Sequence, residues 1–223
     1  MQVTIAERFN GPPGVGNGGY VCGLIAAGLG PASAAAQVSL FLPAPLGIPL
    51  TLQRTLPGPV RLLHHEAVVA EGHAFTGELE APPPPSPAEA AEASERFDVD
   101  HPFPTCFVCG PQREDGLRIF PGSAGDRLAC TWRPPDADPA YVWAALDCPS
   151  GFACMPPGSL SVLASMTARM HAPARVGEEH VISAWKISSE GRKHRGGSAI
   201  HDAGGRLVAV AEALWITPRS RTL

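Results

Sequence analysis

Lysine is almost missing from this chain. Lys186 and Lys193 are the only two, and arginine supplies the rest of the 17 basic residues. Charged side chains make up 17% of the 223 residues, and the formal net charge is −4. With no basic surplus and no long Lys/Arg run, the chain lacks the electrostatic footprint of a nucleic-acid binder. Long apolar runs are also missing. The longest, from Val21 to Leu29, is interrupted by glycine and is too short to span a bilayer, so no membrane partner is expected. The N-terminus has no basic-then-apolar layout, and a cytoplasmic protein is expected. Without a secretion signal, the six cysteines (Cys22, Cys106, Cys109, Cys130, Cys148 and Cys154) do not read as a disulfide framework.

What the chain has in quantity is punctuation: 24 glycines and 25 prolines. Asn10 to Gly19 is too rich in Gly and Pro for regular structure. It leads to an apolar helix from about Gly19 to Leu29, stopped by Gly30-Pro31. Val3–Arg8, Ala35–Leu42, Leu50–Leu56, Val60–Ala70 and Glu71–Gly77 read as strands. Ala81 to Glu95, Pro-Pro-Pro-Pro-Ser-Pro followed by Ala and Glu, is a linker: polyproline first, then a turn or two of exposed helix. It sets residues 1–80 and 104–223 apart as two domains, with 81–103 between them.

In the second half, strands are expected at Arg127–Arg133, Leu160–Met170, His180–Ser188, Gly197–Asp202 and Arg206–Thr217, with a hairpin turn at Gly204-Gly205. Gly151 to Met155 reads as a short buried helix with Asp147 and Ser150 as candidate N-caps. The two halves also resemble each other. At an offset of 132, Gly19, Tyr20 and Cys22 match Gly151, Phe152 and Cys154. At an offset of 130, Pro43 and Gly47 match Pro173 and Gly177. A buried helix followed by a meander of strands, written twice, implies an α+β layer design.

Several residues carry chemistry on their own. Asp147 is a helix cap or a carboxylate at a helix start. Cys106-x-x-Cys109 has the spacing of half a zinc site that His101 and Cys130 could complete. No second CxxC and no close His pair accompany it, so two packed thiols and no metal are expected. Ser150 lacks the Gly-x-Ser-x-Gly elbow of a nucleophile. The Gly11–Gly19 loop lacks Gly-Lys-Ser/Thr and is not a phosphate loop. Arg192-Lys193-His194-Arg195 is the one dense basic cluster, suited to phosphates or simply a solvated hairpin tip.

Asn17-Gly-Gly-Tyr-Val-Cys-Gly23, Ala145-Leu-Asp-Cys-Pro-Ser-Gly151, His171-Ala-Pro-Ala-Arg-Val-Gly-Glu178 and Gly204-Gly-Arg-Leu-Val-Ala-Val-Ala-Glu212 together resemble the double-hotdog acyl-CoA thioesterases. Cys106-Phe-Val-Cys-Gly110 with Gly116-Leu117 is similar to the opening of some single-domain hotdog thioesterases. The resemblance implies a double hotdog, two antiparallel sheets each wrapped around a central helix. It also implies hydrolysis of an acyl-CoA, with the coenzyme A thioester as substrate, no separate cofactor, and a homodimer of double-hotdog chains. By position, Asp147 takes the role of general base or nucleophile, and the amides of Gly18, Gly19, Ser150 and Gly151 that of oxyanion donors. Ser165 or Thr167 takes that of the hydroxyl on the strand after the helix. Asn17, Arg192, Lys193 and Arg195 are the expected ligand contacts. The glutamine that the family carries on its last strand has no counterpart near Glu212. A non-catalytic acyl-binding or scaffold protein is the alternative that this departure implies. A hydratase is disfavoured, because Phe152 stands where a hydratase-like loop needs histidine.

Overall fold

The computed structural model describes residues 1–30, 33–55, 58–98, 101–156 and 158–219. Pro31 and Leu56, both assigned a place in the sequence pattern, lie outside that set. The first half holds strand β1 (Gln2–Thr4), helix α1 (Gly18–Gly28) and strands β2 (Ala35–Leu40), β3 (Pro49–Arg54), β4 (Val60–His64) and β5 (Ala67–Ala74). Helix α2 (Pro87–Glu95) and the short β6 (Gly122–Ala124) follow. The second half repeats the order: β7 (Arg127–Trp132), α3 (Pro139–Cys154), β8 (Val162–Met170), β9 (His180–Glu190), β10 (Lys193–Asp202) and β11 (Leu207–Ile216).

The two halves do not make two sheets. All strands join one eleven-stranded antiparallel sheet in the order β1-β3-β4-β5-β2-β8-β11-β10-β9-β7-β6. The seam is the β2–β8 pair, where Ala36 meets Ala168, Gln37 meets Thr167 and Val38 meets Met166. Each half presents an edge strand, and pairing the two edges satisfies both sets of backbone groups. Outward from the seam the order reads β2-β5-β4-β3-β1 on one side and β8-β11-β10-β9-β7 on the other, where the short β6 adds a last edge. This is the same path written twice.

Both central helices lie against this sheet and against each other. They cross so closely that glycine is required at the contact. A Cβ on Gly19 would stand 2.5 Å from Asp147 Cβ and 2.6 Å from the Trp143 carbonyl oxygen, and one on Gly23 would stand 2.6 Å from Ala140 Cα. Apolar side chains all round both helices follow from this position between sheet and partner helix. Tyr20, Tyr141, Phe9 and Phe107 close one end as an aromatic cluster, with Phe9 stacked on Tyr20 at 4.0 Å.

The second helix differs from its expected form. α3 begins at Pro139 behind an Asp138 N-cap, whose carboxylate accepts from Ala140 N, and runs through Pro149. Asp147 and Ser150 are therefore interior residues and cap nothing. Pro149 removes the helical N–H donor to the Ala145 carbonyl, and the next carbonyl, of Leu146, accepts a hydrogen bond from Ser198 Oγ at 2.7 Å. The linker helix is better anchored than its composition implies. Ser86 and Glu89 form a capping box, and Ala90 and Ala93 are buried in a small core with Ala129 and Val181. In place of one strand over Val3–Arg8 there is the three-residue Gln2–Thr4 and one 3-10 turn, Glu7–Phe9, because the chain leaves the sheet to enter the glycine-rich loop. Among the described residues, no helix is long and apolar enough to cross a membrane.

Candidate active site

An apolar cavity of about 380 Å³ opens where the start of α1, the middle of α3 and the seam strands meet. Its walls include Val15, Val21, Leu40, Leu163, Phe152 and Trp215, with Phe41 and Leu42 exposed at the margin. A few polar groups converge on it, which is the usual composition of a small-molecule site.

Asp147 is the principal one. It is 2% exposed. Its Oδ2 accepts from Asn17 Nδ2 at 2.9 Å and from the Gly19 amide at 2.9 Å. Its Oδ1 is buried without a partner among the described residues. Burial pushes the carboxyl up to about 7, against the pull of the Gly19 and Asn17 hydrogen bonds. Asn17 is the N-cap of α1. Its Oδ1 accepts from Tyr20 N at 2.9 Å while its amide group holds Asp147, so one side chain serves both helices. The Gly18 amide, also on the cavity wall, makes no hydrogen bond among the described residues. It is a spare donor at the positive end of a helix.

The other expected site residues are scattered. Ser150 and Gly151 sit inside α3, where their amides belong to the helical ladder. They do not stand at a helix start and cannot serve as oxyanion donors. The Ser150 hydroxyl is also committed, donating to the Asp147 carbonyl at 2.6 Å and accepting from Trp215 Nε1 at 3.0 Å. Ser165 and Thr167 do not line the cavity. Strand residues alternate between faces, and in β8 Met166 and Ala168 take the buried side. Thr167 lies across from Gln37 and Glu212, so Glu212 is on that outer face as well. The cavity receives instead Leu163, Ser159 and Ser161. Arg192, Lys193 and Arg195 are exposed at the β9–β10 hairpin. Arg192 donates to the Thr217 carbonyl at 3.0 Å, and the Thr217 hydroxyl lies 2.8 Å from cavity-lining Ser161.

Three cysteines were not anticipated here. Cys106, Cys109 and Cys148 line the same cavity, and their sulfurs lie within 4.8 Å of one another. His101 joins them, its Nε2 3.2 Å from Cys109 Sγ. Cys130 is in β7 and takes no part in the group. The signal available in the sequence was Cys106-x-x-Cys109, but nothing local linked it to a cysteine 39 residues beyond Cys109.

No protein-family model matches the sequence. No curated protein matches it either. Solved structures do match its fold. A proposed thioesterase from Novosphingobium aromaticivorans aligns at 15% identity over 97% of this chain and 94% of the other, with a TM-score of 0.66. A hot dog-fold protein of unknown function from Alicyclobacillus acidocaldarius aligns at 16% identity, 98% and 93% coverage and a TM-score of 0.63. An acyl-CoA thioesterase II from Mycobacterium marinum aligns at 16% identity, 100% and 94% coverage and a TM-score of 0.56. The chain has the tandem hotdog fold that runs through thioesterase structures of this kind.

Proposed function

We propose that the chain hydrolyses an acyl thioester at the Asp147 cavity. The observation that carries this reading is the unpartnered Oδ1 of a buried aspartate on the wall of an apolar cavity, beside the spare Gly18 amide. The acyl chain occupies the apolar cavity, and the thioester carbonyl oxygen accepts from the Gly18 N–H. That donor is fixed in advance where negative charge develops, which is the arrangement that lowers such barriers most. Asp147 Oδ1 then takes a proton from a water that attacks the carbonyl, or attacks the carbonyl itself. Either route breaks the C–S bond, releases the thiol with its proton and, after water has been consumed, leaves the carboxylic acid.

The names of the N. aromaticivorans and M. marinum proteins support thioester chemistry, and the latter's supports coenzyme A as the carrier. Arg192, Lys193 and Arg195 are the proposed contacts to its phosphates. Only one of the two related sites is catalytic in this reading. The start of the first half's helix offers Asn17 and no acid, and an amide cannot act as base. Residues 1–80 and 104–223 are the proposed hotdog units, in a cytoplasmic homodimer of double-hotdog chains.

One observation favours a second reading, a non-catalytic acyl-thioester binder. Neither Ser165 nor Thr167 borders the cavity, and the last strand supplies Trp215 there where the thioesterases it resembles carry a water-orienting glutamine. Incubation with acyl-CoAs of increasing chain length, with thiol release followed by a colorimetric reagent, separates the two. Release from at least one substrate supports hydrolysis. Ligand-induced thermal stabilisation without release from any substrate supports binding alone.

A further inference from the structure

The cysteine group has a geometry that packing alone does not require. Cys106 and Cys109 come from one tight loop and Cys148 from the middle of α3, next to Asp147. All three are buried, with Cys106 Sγ 3.9 Å from Cys148 Sγ. Tetrahedral zinc with Zn–S bonds of about 2.3 Å holds its sulfurs roughly 3.8 Å apart. The three thiols are thus close to a ligand spacing before any ion is added.

The loop is held rigid around this spacing. The Gly110 amide donates to the Cys106 carbonyl at 2.9 Å, and a Cβ on Gly110 would lie 2.5 Å from Cys106 N. Phe107 N donates to the Asn10 carbonyl at 2.8 Å, Leu117 N to the Phe107 carbonyl at 2.7 Å, and Ile119 N to the Val108 carbonyl at 3.0 Å. The Asn10 side chain reaches the Thr105 carbonyl at 3.1 Å and accepts from Arg113. Sites for metals are built in this way, with ligands fixed by neighbouring hydrogen bonds.

His101 has a definite part. The Phe103 amide, which can only donate, points at His101 Nδ1 at 3.0 Å. Nδ1 must therefore carry a lone pair, and in the neutral ring the proton sits on Nε2, aimed at Cys109 Sγ. In this orientation His101 is a donor to a sulfur and not a fourth metal ligand. Three protein ligands with an open position is the pattern of zinc sites that exchange a ligand.

We propose that Cys106, Cys109 and Cys148 bind a thiophilic divalent cation, zinc by preference, with the fourth coordination position open to the cavity that Asp147 lines. Each thiol loses its proton to solvent as the metal–sulfur bond forms. His101 Nε2–H stabilises the resulting charge on Cys109. The proposal is independent of hydrolysis, since a non-catalytic binder with the same three sulfurs would hold the same ion.

The test uses the full chain, reduced and stripped of metal with chelator, then titrated with zinc in competition with a chromophoric chelator and, separately, with cobalt(II). One ion per chain and thiolate-to-cobalt charge-transfer absorption are expected. Cys148→Ser should weaken binding at least hundredfold and His101→Gln about tenfold, as for outer-shell partners in general. Cys130→Ser should bind like wild type. No charge-transfer absorption with excess cobalt in the reduced wild-type chain would overturn the proposal even if a variant fails to fold. So would a folded Cys148→Ser protein that binds as tightly as wild type.

Discussion

Asn17 Nδ2 donates to Asp147 Oδ2 at 2.9 Å, across 130 residues of sequence. The same separation recurs at the sheet seam, where Gln37 lies opposite Thr167. It recurs again in the turns, where Gly47 and Gly177 both take a left-handed backbone, with φ of 69° and 75°. Residues 130 apart in the chain thus meet both at the helix contact and at the sheet seam. At the helix contact the pair is an amide facing a carboxylate, so each half contributes a chemically different group.

Asn17→Ala removes the α1 cap and one of the two donors to a buried carboxylate. Caps of this kind contribute about 1 kcal/mol, and leaving a charged buried group short of a donor costs about 1–3 kcal/mol more. A fall in melting temperature of several degrees is expected for a chain of this size. Thermal and urea melts check it, and a loss no larger than that of an exposed substitution would count against the dual role.

Gly19→Ala tests the helix crossing. The added methyl meets Asp147 Cβ and the Trp143 carbonyl at distances no relaxed side chain adopts. α1 and α3 must separate, at a cost of about 1–3 kcal/mol or more. Ala27→Ser, at an exposed position on the same helix, should stay within about 0.5 kcal/mol of wild type. Parallel denaturation curves measure the difference.

His201 gives a pH signature. It is 4% exposed in β10, its Nδ1 has no partner among the described residues, and burial holds its pKa below the usual 6.5. The unfolded chain therefore binds more protons than the folded one below pH 6.5. Stability falls as pH drops through that value towards the lower folded one. Melts of wild type and His201→Gln between pH 5 and 8 should show a shallower acid decline in the variant, whatever its absolute stability. Parallel declines would remove His201 from the account.

Much of the fold was legible, because period-two strands, a Gly-Gly hairpin and a polyproline break are local signals. What was not legible had non-local causes. Asp147 and Ser150 read as caps of a helix starting at Gly151, yet α3 starts at Pro139 and continues through Pro149, with Ser198 from β10 bonding the neighbouring Leu146 carbonyl. The boundary between β4 and β5 falls at His65, which takes φ of 55° without being glycine and so leaves no mark in the sequence. Ser165 and Thr167 have the residue types of a site but the wrong face. A register shift between Leu214 and Trp215 brings Leu163, two residues before Ser165, opposite Trp215. Asp147 stood out in the sequence although its place in the helix was misread, because an acid in an apolar run is conspicuous wherever the helix starts. Single-sheet continuity across β2 and β8 depends on two edges that are far apart in the chain.

The most direct test of the central claim compares wild type with Asp147→Asn in thiol release from an acyl-CoA panel. Asparagine keeps the shape and can still accept from Asn17 and Gly19, but it cannot take a proton. A fall in kcat of about a hundredfold or more, with melting temperature held, is the expected result. Equal turnover by the two proteins would contradict a catalytic Asp147 and move the chemistry elsewhere in the chain.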